Sequence, residues 1–320
     1  MLGELPRELA EDNFWVKLPP PLLSMIVFGL AFCFAGLLGV AGSDGTAVSD
    51  AFVKGVPWTV WRAVAGAALV VFALLTAQAV RILQHPDRWG FYPPPARRRR
   101  YLLCAAISAV AVAGYRILFP GVVPDLPVQS LQLRTGAVLL CGMLAAIPWL
   151  TIVWLAHAEC RELWQRDDDP LDEPQAHIRR LERLWQLLIV CVGAFMLGVA
   201  AAVASAGAIR GAFVSAHPDR ADEFPPSNVL LYGGMFALGL AVIGIPMAVA
   251  WRNRAQQLVE HMCPLPASGR PSEEWLQERH RIEHLLHLDI SILRNPLTIL
   301  SVIAPLIVSA LAAFLPQVAG

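Results

Sequence analysis

Residues 229–251 read VLLYGGMFALGLAVIGIPMAVAW, a run of 23 positions with no charged side chain. A hydrocarbon core roughly 30 Å thick takes about 20 helical residues to cross, so this run is long enough to span a bilayer. Residues 18–42, 135–156, 184–209 and 296–320 have the same character, and 58–80 and 101–119 share it with one arginine each, Arg62 and Arg116. The pattern predicts an all-α, polytopic membrane protein with six transmembrane helices and a seventh, C-terminal hydrophobic segment.

Composition agrees. The chain is 56% hydrophobic and only 16% charged, against roughly 25% charged residues in soluble domains, and its mean hydropathy is +0.54. In 320 residues the spans leave no room for a separate soluble domain of about 100 residues. The expected organisation is a cytoplasmic N-terminal segment at 1–17, a six-helix bundle at 18–251 with a cytoplasmic hairpin near 159–183, a cytoplasmic amphipathic segment at 252–295, and the hydrophobic segment 296–320. Formal net charge is zero, which gives a nucleic-acid partner no electrostatic footprint. The six cysteines form no C-x-x-C pair, so a disulfide framework is not expected. Glu4, Glu8, Glu11 and Asp12 replace the basic start of a signal peptide, so the first span is expected to persist as a helix.

Orientation follows from where the arginines sit. Arg81, Arg88 and the run Arg97, Arg98, Arg99 and Arg100 follow the second span; Arg161, Arg166, Arg179, Arg180 and Arg183 follow the fourth; Arg252, Arg254, Arg270, Arg279, Arg281 and Arg294 follow the sixth. In the intervening stretches 43–57, 120–133 and 210–228 the basic residues are Lys54, Arg210 and Arg220 alone. The alternation places the N-terminus in the cytoplasm of a bacterial plasma membrane. Trp58 and Trp61 at the outer ends, and Trp154, Trp185 and Trp251 at the inner ends, are expected as interfacial anchors. Pro296, Pro305 and Pro316 punctuate the last segment; a kinked span is expected, with a re-entrant hairpin as the alternative.

Little in the chain points to chemistry. An ionisable residue inside a membrane is a functional hypothesis by default, yet no carboxylate lies deep in any span. Arg62 and Arg116 fall near span ends, where they can snorkel to the headgroups or rim a pore. His280, Glu283 and His284 match the inverted zinc-protease pattern H-x-x-E-H, with His287 on the same side. The surrounding cleft and further ligand are missing, so these histidines are expected to be solvated and no metal, cofactor or catalytic residue is assigned. The aspartates around Asp168 lack the glycine turn and distal glutamate of a calcium loop.

Two patterns concern assembly. Ala194, Gly198, Ala202 and Ala206 form a small-residue stripe on the fifth span, and Gly234, Gly239 and Gly244 recur on the sixth; these predict close packing of the two spans, or an oligomer interface. Ser272 is an N-cap for an amphipathic helix over 272–295, with Trp275, Ile282, Leu286 and Leu293 on one face and Asp289 within that face as a candidate latch. The functional expectation is a non-enzymatic scaffold, sensor or partner-responsive protein at the inner leaflet. The alternatives are an oligomeric pore or membrane-disrupting effector and, more weakly, a membrane-bound metalloenzyme. Expected partners are the lipid bilayer, a second copy of the chain, or a cytoplasmic protein.

Overall fold

The computed structural model of the chain describes residues 20–39, 45–85, 89, 92–118, 126–162, 174–266, 271–288, 303 and 306–312. Among them the structure is all-α. The helices are α1 (Pro20–Gly39), α2 (Ala47–Lys54), α3 (Val56–Gln84), α4 (Pro94–Leu118), α5 (Leu131–Glu162), α6 (Pro174–Ala216), α7 (Pro226–Met262) and α8 (Glu273–Leu285), with a 3-10 helix at Pro218–Glu223 between α6 and α7. Residues 306–312 are also helical.

Helix α3 is the spine. Its buried residues Trp58, Trp61, Ala65, Ala68, Leu69, Phe72, Leu75 and Ala79 recur every three or four positions along its whole length, which makes one continuous packing face. Helices α1, α5 and α6 all pack against it. The approach of α5 is close enough that a Cβ on Gly142 would sit 3.0 Å from Phe72 Cζ. Trp149 Nε1, on α5, donates to the carbonyl of Leu75 at 3.1 Å.

Among the described residues four segments are long and apolar enough to cross a membrane: Val56–Gln84, Leu131–Glu162, Gln175–Ala216 and Pro218–Met262. Their outward faces are greasy: on α7, Leu238 and Val242 are 67% and 65% exposed. Apolar surface of that extent is at home in hydrocarbon rather than water. Helix α6 has 43 residues, about 65 Å at 1.5 Å per residue. That is about twice the thickness of a hydrocarbon core, more than one crossing requires.

Three sequence expectations change. The stretch between the first two spans holds helix α2, capped by Thr46 Oγ1 accepting from the Ser49 amide at 3.2 Å, with Asp50 in its first turn and Lys54 in its last, both favourable to the helix dipole. Helix α7 runs past Trp251 to Met262, so the boundary expected at 251 falls inside a continuous helix. Helix α8 ends at Leu285, inside the stretch 272–295 expected to be helical, for a reason given below.

The small-residue stripe also takes a different role. Helices α6 and α7 do pack together, through Val199, Val203 and Val229. But a Cβ on Gly198 would meet Leu75 of α3 at 3.6 Å, and nothing lies within 4 Å of Gly239 or Gly244. The stripe lets α6 lie against α3, while Gly239 and Gly244 look away from the bundle among the described residues.

Candidate docking platform at the arginine-rich end

The chain reversals bring the C-termini of α3, α5 and α7 to the same end as the N-termini of α4 and α6. The three arginine-rich stretches therefore meet there. A helix C-terminus leaves carbonyls without intrahelical partners and carries a partial negative charge. Arginine, with five donors on a long stem, satisfies both needs. Arg97 Nη1, on α4, donates to the Leu83 carbonyl of α3 at 2.6 Å. Arg254, on α7, donates through Nε to the carbonyl of Cys160 and through Nη2 to that of Arg161, both at the end of α5; its Nη1 reaches Gln257 Oε1 at 2.8 Å. Arg180 of α6 pairs with Glu159 of α5 at 2.7 Å, with both side chains largely buried.

Aromatic rings fill the space these bonds enclose. Trp251 Nε1 donates to Leu181 O at 2.8 Å, and its ring packs on Trp185 with centroids 4.6 Å apart. Trp185 in turn stacks on His287, just beyond α8, at 5.9 Å. Arg252 Nη2 donates to Leu288 O at 3.2 Å. Ile282 and Leu286 of α8 are buried in the same apolar cluster as Trp251 and Leu184. Trp275 Nε1 reaches the Pro264 carbonyl at 3.0 Å. Helix α8 is thus fastened onto the arginine-rich ends of α6 and α7, with its polar side outward. On α7 an open depression of about 380 Å³ is lined by Arg254, Gln257, Glu260 and His261. Burial, with Glu278 second, pushes the Cys263 thiol up, so this cysteine is a packing group rather than a reactive thiolate.

The end of α8 explains its length. Leu288 N–H bonds to Glu283 O at 2.9 Å and His287 N–H to His284 O at 3.1 Å, while His287 has φ 52°. That is a Schellman motif, with histidine in the left-handed position usually given to glycine. The sequence offers no glycine there, so nothing marked the stop. Asp289 and Leu293 lie outside the described residues, and the helical phase that set Asp289 beside Ile282 ends before it.

The other candidate residues separate. Ser272 Oγ accepts from the Trp275 amide at 3.2 Å, as its N-cap role requires. Glu283 is engaged by Arg279 at 2.8 Å, and His280 Nδ1 stands 3.6 Å from it with a side chain 78% exposed. Among the described residues no group of three His, Cys, Asp or Glu side chains is placed to hold a metal ion. Arg62 is exposed; the side chain of Arg116 and the residues around Asp168 lie outside the described set.

At the opposite end the interfacial expectation for Trp58 and Trp61 is corrected. Both are buried, stacked at 4.7 Å and packed with Leu126, Val128 and Leu131, because α2 and the turn before α5 fold over them. Ser49 Oγ, on α2, donates to the Pro127 carbonyl at 2.7 Å and ties that cover down. Arg210 is buried too, its Nε donating to Phe224 O at 2.9 Å. Arg134 Nη1 donates to Leu38 O at the end of α1. The arginine bonds at both ends were invisible in the sequence, since every residue carries a carbonyl and only the fold selects the acceptor.

Comparison with protein-family models, with curated proteins and with solved structures gave no match. The class therefore rests on the fold alone: among the described residues, an all-α chain with four helices long and apolar enough to cross a membrane.

Proposed function

We propose that the chain is a multi-pass protein of a bacterial plasma membrane, with α1, α3, α4, α5, α6 and α7 as its six spans and the C-terminal segment as a seventh. The arginine-rich end faces the cytoplasm, as the charge asymmetry of its loops argues. Its work is non-enzymatic: it presents α8 and the arginine-rich ends of α6 and α7 as a fixed surface on which a cytoplasmic protein docks.

The spanning reading of the last segment has geometric support. Leu288 is held at the arginine-rich end by Arg252. Leu306 lies 4.0 Å from where a Cβ on Gly234 would be, about 25 Å of helix away from Trp251 along α7. Ala312 lies 2.6 Å from where a Cβ on Gly207 would be, about 40 Å of helix beyond Leu181 along α6. Leu288, Leu306 and Ala312 thus lie successively further from the arginine-rich end, which favours a crossing over a hairpin.

The observation that carries the docking reading is the fastening of α8. A 13-residue helix held by Trp185, Trp251 and Arg252 keeps its polar face fixed towards water without ordering cost at binding. The interior of the bundle is filled by Trp149, Ile152, Leu155 and Cys191, so an oligomeric pore would have to run between copies. A photo-crosslinking residue at Arg281, in intact cells, tests the proposal. One discrete protein adduct, lost when the same residue is placed on the lipid-facing Val242, is expected. Adducts to lipid or to the chain itself alone would overturn it.

A further inference from the structure

The run Arg97, Arg98, Arg99 and Arg100 splits into two pairs with different surroundings. Arg97 turns inward to the Leu83 carbonyl, and Arg100 lies over the Tyr92 ring, 4.2 Å from its centroid. Arg98 and Arg99 are exposed, and among the described residues neither has a carboxylate partner. One helical turn further on, at i+4, stand Leu102 and Leu103, and beyond them Ile107 and Val110, which are 63% and 72% exposed. The two free guanidinium groups therefore head the outward-looking apolar face of α4. That helix packs mainly on α5 and is otherwise open.

From this juxtaposition we infer that Arg98 and Arg99 bind the phosphate of anionic phospholipids in the leaflet at the arginine-rich end, while Arg97 and Arg100 hold the fold. The inference rests on α4 being a span. If Leu102, Leu103, Ile107 and Val110 face acyl chains, the residues one turn before them lie at the depth of the headgroups. Guanidinium is suited to that level because its planar fork matches a phosphate bidentately and is weakly hydrated. A purely structural anchor would need no such division, since snorkelling charge on any face would serve.

The test uses the full chain purified in detergent and titrated with phosphatidylglycerol or phosphatidylcholine, with bound lipids counted by native mass spectrometry. Wild type should prefer phosphatidylglycerol. R98Q/R99Q should weaken that binding about thirtyfold, roughly fivefold for each charge near the surface, with thermal stability unchanged. R97Q should do the reverse, losing stability and keeping the lipid preference. R98K/R99K, which keeps the charge, should retain most of the preference even if the Gln pair folds poorly. An unchanged preference in R98Q/R99Q, its loss in R97Q alone, or displacement of the lipid by inorganic phosphate at equal concentration would each overturn the inference. Whether α4 spans is read separately, by whether cysteines at Ile107 and Val110 resist aqueous alkylation in the membrane.

Discussion

Arg180 Nε stands 2.7 Å from Glu159 Oε1, joining α6 to α5 through an ion pair from which water is nearly excluded. Removing one member of such a pair strands the other, at a cost of about 3–5 kcal/mol, whereas an exposed pair is worth about 0–1. Glu159→Gln should therefore destabilise the detergent-solubilised protein by about 3 kcal/mol, while Glu223→Gln, which breaks the exposed pair with Arg220, should leave its stability nearly unchanged. Unfolding curves of the two variants measure the contrast.

Arg254 carries the end of α5. Arg254→Met removes its bonds to the carbonyls of Cys160 and Arg161, each hydrogen bond to a charged group being worth about 1.5–3 kcal/mol. The last turn of α5 should fray, seen as faster amide exchange over 158–162 with the middle of the helix unaffected. Arg254→Lys should restore only part, since an ammonium lacks the fork that reaches two carbonyls.

The C-terminal segment approaches α6 closely at Gly207. Gly207→Val would place side-chain atoms inside the 2.6 Å separation from Ala312, so residues 306–312 should be displaced. A cysteine at Ser309, buried in the native protein, should become alkylatable in that variant. Gly239→Val, at a site with nothing within 4 Å, should leave it protected.

His287 sets the stop of α8. A β-branched residue is a poor occupant of the left-handed region, where glycine and asparagine are tolerated. His287→Val should loosen the turn and speed exchange at the Leu288 amide, which bonds to Glu283 O. His287→Gly and His287→Asn should leave that amide protected.

The orientation is tested with cysteines at Asp222 and Arg281 in a cysteine-free background. Asp222, in the 3-10 helix, should react with a membrane-impermeant reagent in intact cells, and Arg281 only after the membrane is opened. The reverse pattern would invert the threading.

The sequence by itself determined the helical class, the positions of the long apolar helices and the cap at Ser272. These depend on runs of neighbouring residues: an uninterrupted apolar stretch and a side chain three positions from an amide. Only the tertiary structure decided where α8 stops, which carbonyls the arginines hold, that Trp58 and Trp61 are covered by α2, and that the stripe through Gly198 meets α3. Each of these joins residues far apart in the chain or an acceptor common to every residue, or, at His287, takes a backbone state the side chain does not announce. A hydrophobic run states that it must leave water, but not which partner it will leave water against.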